Sequence, residues 1–143
     1  SPAKAGAVVS LATLAGGFSS YAMPYLKRLH NFSGLGGRAF AFLSMGFLGL
    51  SIANTFFITI LFALFAGAGI GLLMPSMRLW VISIAAPPLR GRSVGVITSA
   101  LYLGQFLSPV IAQPIVMMSG ITTLYTFIGI IAGLIALYLL LKQ

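Results

Sequence analysis

The chain has 143 residues, 59% hydrophobic and 6% charged, and its net charge of +8 comes from eight Lys/Arg with no Asp or Glu at all. A soluble domain carries about 25% charged residues, so the polar surface is too small to coat a water-soluble globule. With no carboxylate, no Cys and one His, the chain has no paired acids, no aspartate-oriented triad, no hard-cation cage, no disulfide and no zinc site of its own.

Crossing a hydrocarbon core about 30 Å thick takes roughly 20 helical residues, and the apolar runs predict five such spans. The first covers about Ala5 to Leu26 and carries a mild polar stripe of Ser10, Thr13, Gly17, Tyr21 and Pro24. A polar loop from Lys27 to Arg38 follows, with the only histidine, His30, beside Arg28. That position suits a solvated loop residue better than a proton relay. The second span is short, about 36–53, and Ser51 to Asn54 form a tight turn. The third runs about 55–77, with helix extending to about residue 86. Its Gly67, Gly69 and Gly71 lack the GxGxxG spacing and have no strand before them. Small residues there let helix backbones approach closely, as do Gly129 and Gly133 in the fifth span. A rocking contact surface is the functional version of the same feature. Arg78 lies about 33 Å along a helix from Phe56, near the inner boundary. It reads as an interfacial anchor beside Trp80, or as an inner-mouth residue drawing anions or lipid head groups.

Pro87 and Pro88 break the third helix, because prolines donate no backbone hydrogen bond. The fourth span is about 93–119 and the fifth about 121–141. In the fourth, Thr98, Tyr102, Gln105, Pro109, Ala112 and Gln113 fall on one helical face. Hydrogen-bonding groups there either line a water-filled cavity or bond to another helix. Tyr102 and Gln105 are the best cavity candidates, and Pro109 and Pro114 shape the helix. Thr13 and Tyr21 supply the milder counterpart on the first span.

Counting crossings, Lys27, Arg28, Arg38, Arg78, Arg90, Arg92 and Lys142 all follow an odd number of spans, and only Lys4 lies on the other side. The positive-inside rule makes the cation-rich face cytoplasmic, with the C-terminus inside and the N-terminus outside. Cations at span ends, not in a stripe with interleaved aromatics, speak for topology and against nucleic acid. The expectation is a single all-α membrane domain over 1–143. An odd number of spans with an external start points to a fragment lacking an N-terminal part.

The stretches GAGIGLLMP (Gly67 to Pro75) and PPLRGRSVGVITSALYLGQFLSP (Pro87 to Pro109) resemble the C-terminal half of a major facilitator superfamily transporter. The five spans would match that family's eighth to twelfth helices, most of a six-helix half, so the resemblance covers nearly the whole chain. Arg90, Gly91, Arg92 and Gly95 look like its cytoplasmic Arg-Gly signature, and Gly104 and Pro109 fit the glycine–proline spacing of the next helix. Lys27-Arg28 and Gly37-Arg38 look like a degraded basic loop motif whose acidic member, and hence gating salt bridge, is absent. The resemblance implies secondary transport of a small molecule by alternating access, with two six-helix halves rocking about a midplane site. It also implies a cavity lined by the first, third and fourth spans, an absent N-terminal half as partner and protons as candidate coupling ions. The residue inventory, with no acids, no Cys and one His, itself argues against an intramembrane enzyme, and no cofactor is expected. Among subfamilies, bacterial inner-membrane efflux antiporters for drug-like or sugar-like compounds are the nearest. A sugar or organic-anion uptake symporter is the runner-up, and an oligomeric channel or structural subunit using Gly129 and Gly133 as its contact is the rival.

Overall fold

The computed structural model describes residues 2–29 and 31–142, and for residues 27–29 the backbone only. Among the described residues, four helices are long and apolar enough to cross a membrane. They are α1 (Pro2–Leu29), α2 (Phe32–Ile52), α3 (Phe56–Ile84) and α4 (Arg90–Leu141), with a 3-10 turn at Pro87–Leu89 before the last. No strand occurs among the described residues. The two spans expected over 93–119 and 121–141 form one 52-residue element, interrupted at Gly120. There φ is 82° and ψ 163°, a region open essentially to glycine alone.

The termini follow local chemistry. Thr55 caps α3, its Oγ1 accepting from the Ile58 N–H at 3.4 Å. Ala85 is extended, and Ala86, directly before Pro87, has ψ of 143°, outside the α region as a residue before proline should be. The polar loop expected over 27–38 is corrected: Lys27 and Arg28 lie in the last turn of α1, and α2 begins at Phe32. No proline or helix-breaking pair separates the two helices, so charge alone did not end either one. Gly91 and Arg92, expected in a loop, likewise lie in the first turn of α4.

Contact order fixes the helix directions. Ala12 and Gly16 meet Gly67 and Gly71 in the same sequence order, so α1 and α3 run parallel. Gly46 and Gly49 meet Ala66 and Phe62 in reverse order, so α2 is antiparallel to α3. After Gly120, α4 is antiparallel to α2: Leu48 lies on Gly129 and Leu140 on Gly37. Tyr125 packs against Phe47 with the rings tilted by 43° and 6.0 Å between centroids, near the end of α2 remote from Phe32. The 90–119 arm of α4 therefore runs from the α3 C-terminal end to the opposite end, and the 121–141 arm returns.

α3 is the centre. Gly67 and Gly71 face α1, whereas Gly69 faces Ala39 and Leu43 of α2, since two helical residues advance about 200°. Phe42 stacks on Phe65 at 5.9 Å. Met23, Leu35, Ala39 and Leu72 form the buried cluster that joins α1, α2 and α3. Lipid tails are as apolar as leucine, so such contacts rest on close packing and interhelical hydrogen bonds. Burial is uneven: 39% of the most apolar stretch is buried in α2 and in α3, but 6% in α1. Residues 102–111 of α4 are exposed throughout.

Candidate functional site

Two hydroxyl-to-carbonyl bonds tie the helices together. Ser20 Oγ donates to the Gly71 carbonyl at 2.7 Å, and Ser44 Oγ donates to the Gly129 carbonyl at 2.8 Å. The first has a readable cause. Pro75 stands four residues beyond Gly71 inside α3 and has no N–H, so the Gly71 carbonyl loses its intrahelical donor. Ser20, on the neighbouring helix, replaces it. Sequence reasoning missed Ser20 and Ser44. A proline inside a span announces an orphan carbonyl four residues upstream, and that signal would have directed a search for Ser20.

Beside this seam lies a groove of about 780 Å³, lined by α1 and α3 with Leu50 of α2 and Tyr125 of α4. Its small residues include Ala12, Gly16, Gly67 and Gly71, and its polar ones are Thr13, Ser20, Thr59 and Tyr125. Thr13 and Thr59 each donate to their own helix, to Val9 at 2.8 Å and Thr55 at 3.0 Å. Their oxygens remain free to accept. No charged residue lines the groove, so its chemistry suits a neutral, largely apolar guest. Thr59 and Tyr125 carry no distinguishing pattern in the sequence, and only the fold brings them beside Thr13.

The expected cavity residues divide into two sets. Thr13 lines the groove and, with Leu14, Gly17 and Phe18, also the shallow outer surface that holds Tyr21, which is 77% exposed and does not reach the groove. On the 90–119 arm, Thr98 donates to its own Val94 carbonyl at 2.8 Å. Tyr102, Gln105 and Gln113 are exposed and line none of the grooves described here. Gly95 and Gly104 have open space where a Cβ would be. The stripe thus makes no side-chain hydrogen bond to another helix among the described residues; Thr98 is half-buried, while Tyr102, Gln105 and Gln113 stay exposed.

The glycines occupy seams of different kinds. A Cβ on Gly67 or Gly71 would run into the Ala12 or Gly16 carbonyl. One on Gly129 would meet the Leu48 side chain at 2.7 Å, and one on Gly133 the Ser44 hydroxyl at 2.9 Å. Both members of the GxxxG pair are therefore already covered by α2.

The cations gather at one end. Arg38 lies within the second turn of α2 and is half-buried, Arg78 is exposed near the end of α3, and Arg90 and Arg92 open α4. Lys142 follows the last residue of α4, with its Nζ 5.7 Å from the Tyr138 ring centroid. Lys27 and Arg28 end α1 at the same level, their side chains and His30 lying outside the described residues. Lys4 stands at the opposite end, 5.5 Å over the Phe56 ring.

Comparison of the chain with protein-family models, with curated proteins and with solved structures gives no match.

Proposed function

We propose that the chain is most of one half of a secondary transporter and crosses the membrane five times, α4 crossing twice about Gly120. One observation carries the proposal. Hydrogen-bonding residues on the 90–119 arm (Tyr102, Gln105, Gln113) and on α1 (Thr13, Tyr21) are exposed, while α2, α3 and the 121–141 arm pack through small residues. Amide and hydroxyl groups turned outward are costly against hydrocarbon. They are accounted for if a second half closes over them and encloses a watered cavity. Alternating access then follows from rocking of the two halves, with substrate bound between them. The resemblance to major facilitator transporters in residues 67–75 and 87–109 supports the same reading.

The preferred activity is efflux of drug-like or sugar-like compounds from a bacterium, with the basic end cytoplasmic. Because this half has no carboxylate, proton coupling through acids falls to the other half. A neutral or anionic cargo fits such a half, so uptake symport of a sugar or organic anion is the second reading. The oligomeric-subunit reading loses the contact it relied on, since Gly129 and Gly133 are occupied by Leu48 and Ser44.

The test uses Tyr102→Cys and Gln105→Cys in the intact transporter in native membranes, with Leu137→Cys as an outward apolar control. Residues 1–143 contain no cysteine, and any cysteine in the other half is first replaced so that labelling is local. Reaction of the first two with a water-soluble thiol reagent, reduced by transported substrate, is the expected result. Thiols at 102 and 105 as inert as that at 137 would overturn the cavity assignment. Uptake and efflux of a substrate panel, with and without a proton gradient, then separates antiport from symport.

A further inference from the structure

We propose that the groove between α1 and α3 at the basic end binds the headgroup of an anionic phospholipid, with Arg78 as its phosphate ligand. The argument begins with charge. Eight Lys/Arg face no Asp or Glu within residues 1–143, so no ion pair with an acidic side chain forms inside this segment and its counter-charges come from outside it. Arg78 shares a groove of about 560 Å³ with Ser20, Met23, Pro24, Met74, Pro75 and Leu79. The Ser20 hydroxyl is engaged with the Gly71 carbonyl, so one cation sits among otherwise apolar side chains, the layout that one charged headgroup and its acyl chains require.

Depth supports the assignment. α3 has 29 residues, about 44 Å at 1.5 Å per residue, close to the 40–45 Å of a bilayer with its headgroup layers. Arg78 precedes Ile84 by about 9 Å along the axis, which sets its Cα near the boundary between hydrocarbon and headgroups. The guanidinium extends from there to the phosphate level, its stem lying along apolar neighbours. Trp80, half-exposed two residues on, is an interfacial residue by type. A planar guanidinium binds phosphate through two parallel N–H donors. Lys27 and Arg28, ending the adjacent helix, add to the positive potential that attracts an anionic leaflet.

The experiment titrates dioleoylphosphatidylglycerol into the intact detergent-purified protein at about 0.15 M salt, where charges farther apart than about 8 Å are largely screened. Bound lipid is counted by native mass spectrometry. Arg78→Gln is expected to weaken binding about tenfold or more, as loss of a hydrogen bond between charged groups implies. Arg92→Gln, at the same end of the molecule, should change it by no more than about threefold. Arg78→Lys keeps the charge without the fork and is expected to fall between the two, which preserves the test if the glutamine variant does not fold. Four outcomes would overturn the proposal: equal retention of dioleoylphosphatidylcholine, equal losses for Arg78→Gln and Arg92→Gln, displacement of the lipid by soluble glycerol 3-phosphate, or a carboxylate of another polypeptide cross-linked at position 78.

Discussion

Ser20 and Pro75 make a prediction that separates an interhelical bond from mere proximity. Pro75 removes the N–H that would reach Gly71, and the Ser20 hydroxyl takes its place at 2.7 Å. Ser20→Ala therefore leaves a carbonyl unbonded at the α1–α3 seam. Interhelical side-chain bonds in bilayers are worth about 0.6 kcal/mol on average and about 1.7 at most. An unsatisfied carbonyl away from water raises the loss to about 1–2 kcal/mol. Pro75→Ala restores the helix's own donor to Gly71, so Ser20→Ala in that background should be nearly neutral. The expected coupling is about 1 kcal/mol, outside the roughly 0.3–0.5 kcal/mol within which independent sites add. The assay is reversible unfolding in mixed SDS micelles, followed by the emission of Trp80, the chain's one tryptophan. If the two substitutions simply add, the hydroxyl does not substitute for the missing N–H and the account of this seam is wrong.

Three further outcomes are expected. Gly67→Leu and Gly71→Leu should separate α1 from α3, because any Cβ meets a backbone carbonyl, whereas Gly104→Ala, in open space, should be neutral or stabilising by up to about 1 kcal/mol. Their order in thermal stability in detergent checks this, and equal losses at 67 and 104 would count against it. Gly120→Ala should destabilise by about 1–3 kcal/mol, since φ of 82° and ψ of 163° lie where an alanine is strained; the same unfolding assay reads it, and an unchanged midpoint would contradict that conformation. Ser44→Ala should lower stability by about 0.6–1.7 kcal/mol through the Gly129 carbonyl, while Ser51→Ala, whose hydroxyl serves an exposed carbonyl of its own helix, should stay within about 0.5 kcal/mol.

Helix positions were legible because span length and punctuation are local. Ile52–Thr55, Pro87–Pro88 and Gly120 are breaks that apolar runs and backbone chemistry announce without reference to neighbours. The charged segment 27–38 misled because a run of polar residues resembles a loop, yet nothing in it forbids helical φ and ψ. Glycine spacing marked the seams on α3, but periodicity alone did not say that Gly67 and Gly71 face one helix and Gly69 another.

Length, apolar runs and the lack of acids determined a helical chain with segments able to span a membrane and cations gathered at one end. Each of those properties belongs to single segments and so can be read along one dimension. Only the tertiary structure decided which helix meets which, that Ser20 reaches the Gly71 carbonyl across 51 positions, that α2 covers Gly129 and Gly133, and that the polar residues from Tyr102 to Gln113 stay exposed. Those depend on which backbones come within reach of one another, and where the helices share one apolar composition, small side chains and single hydroxyls choose the pairing.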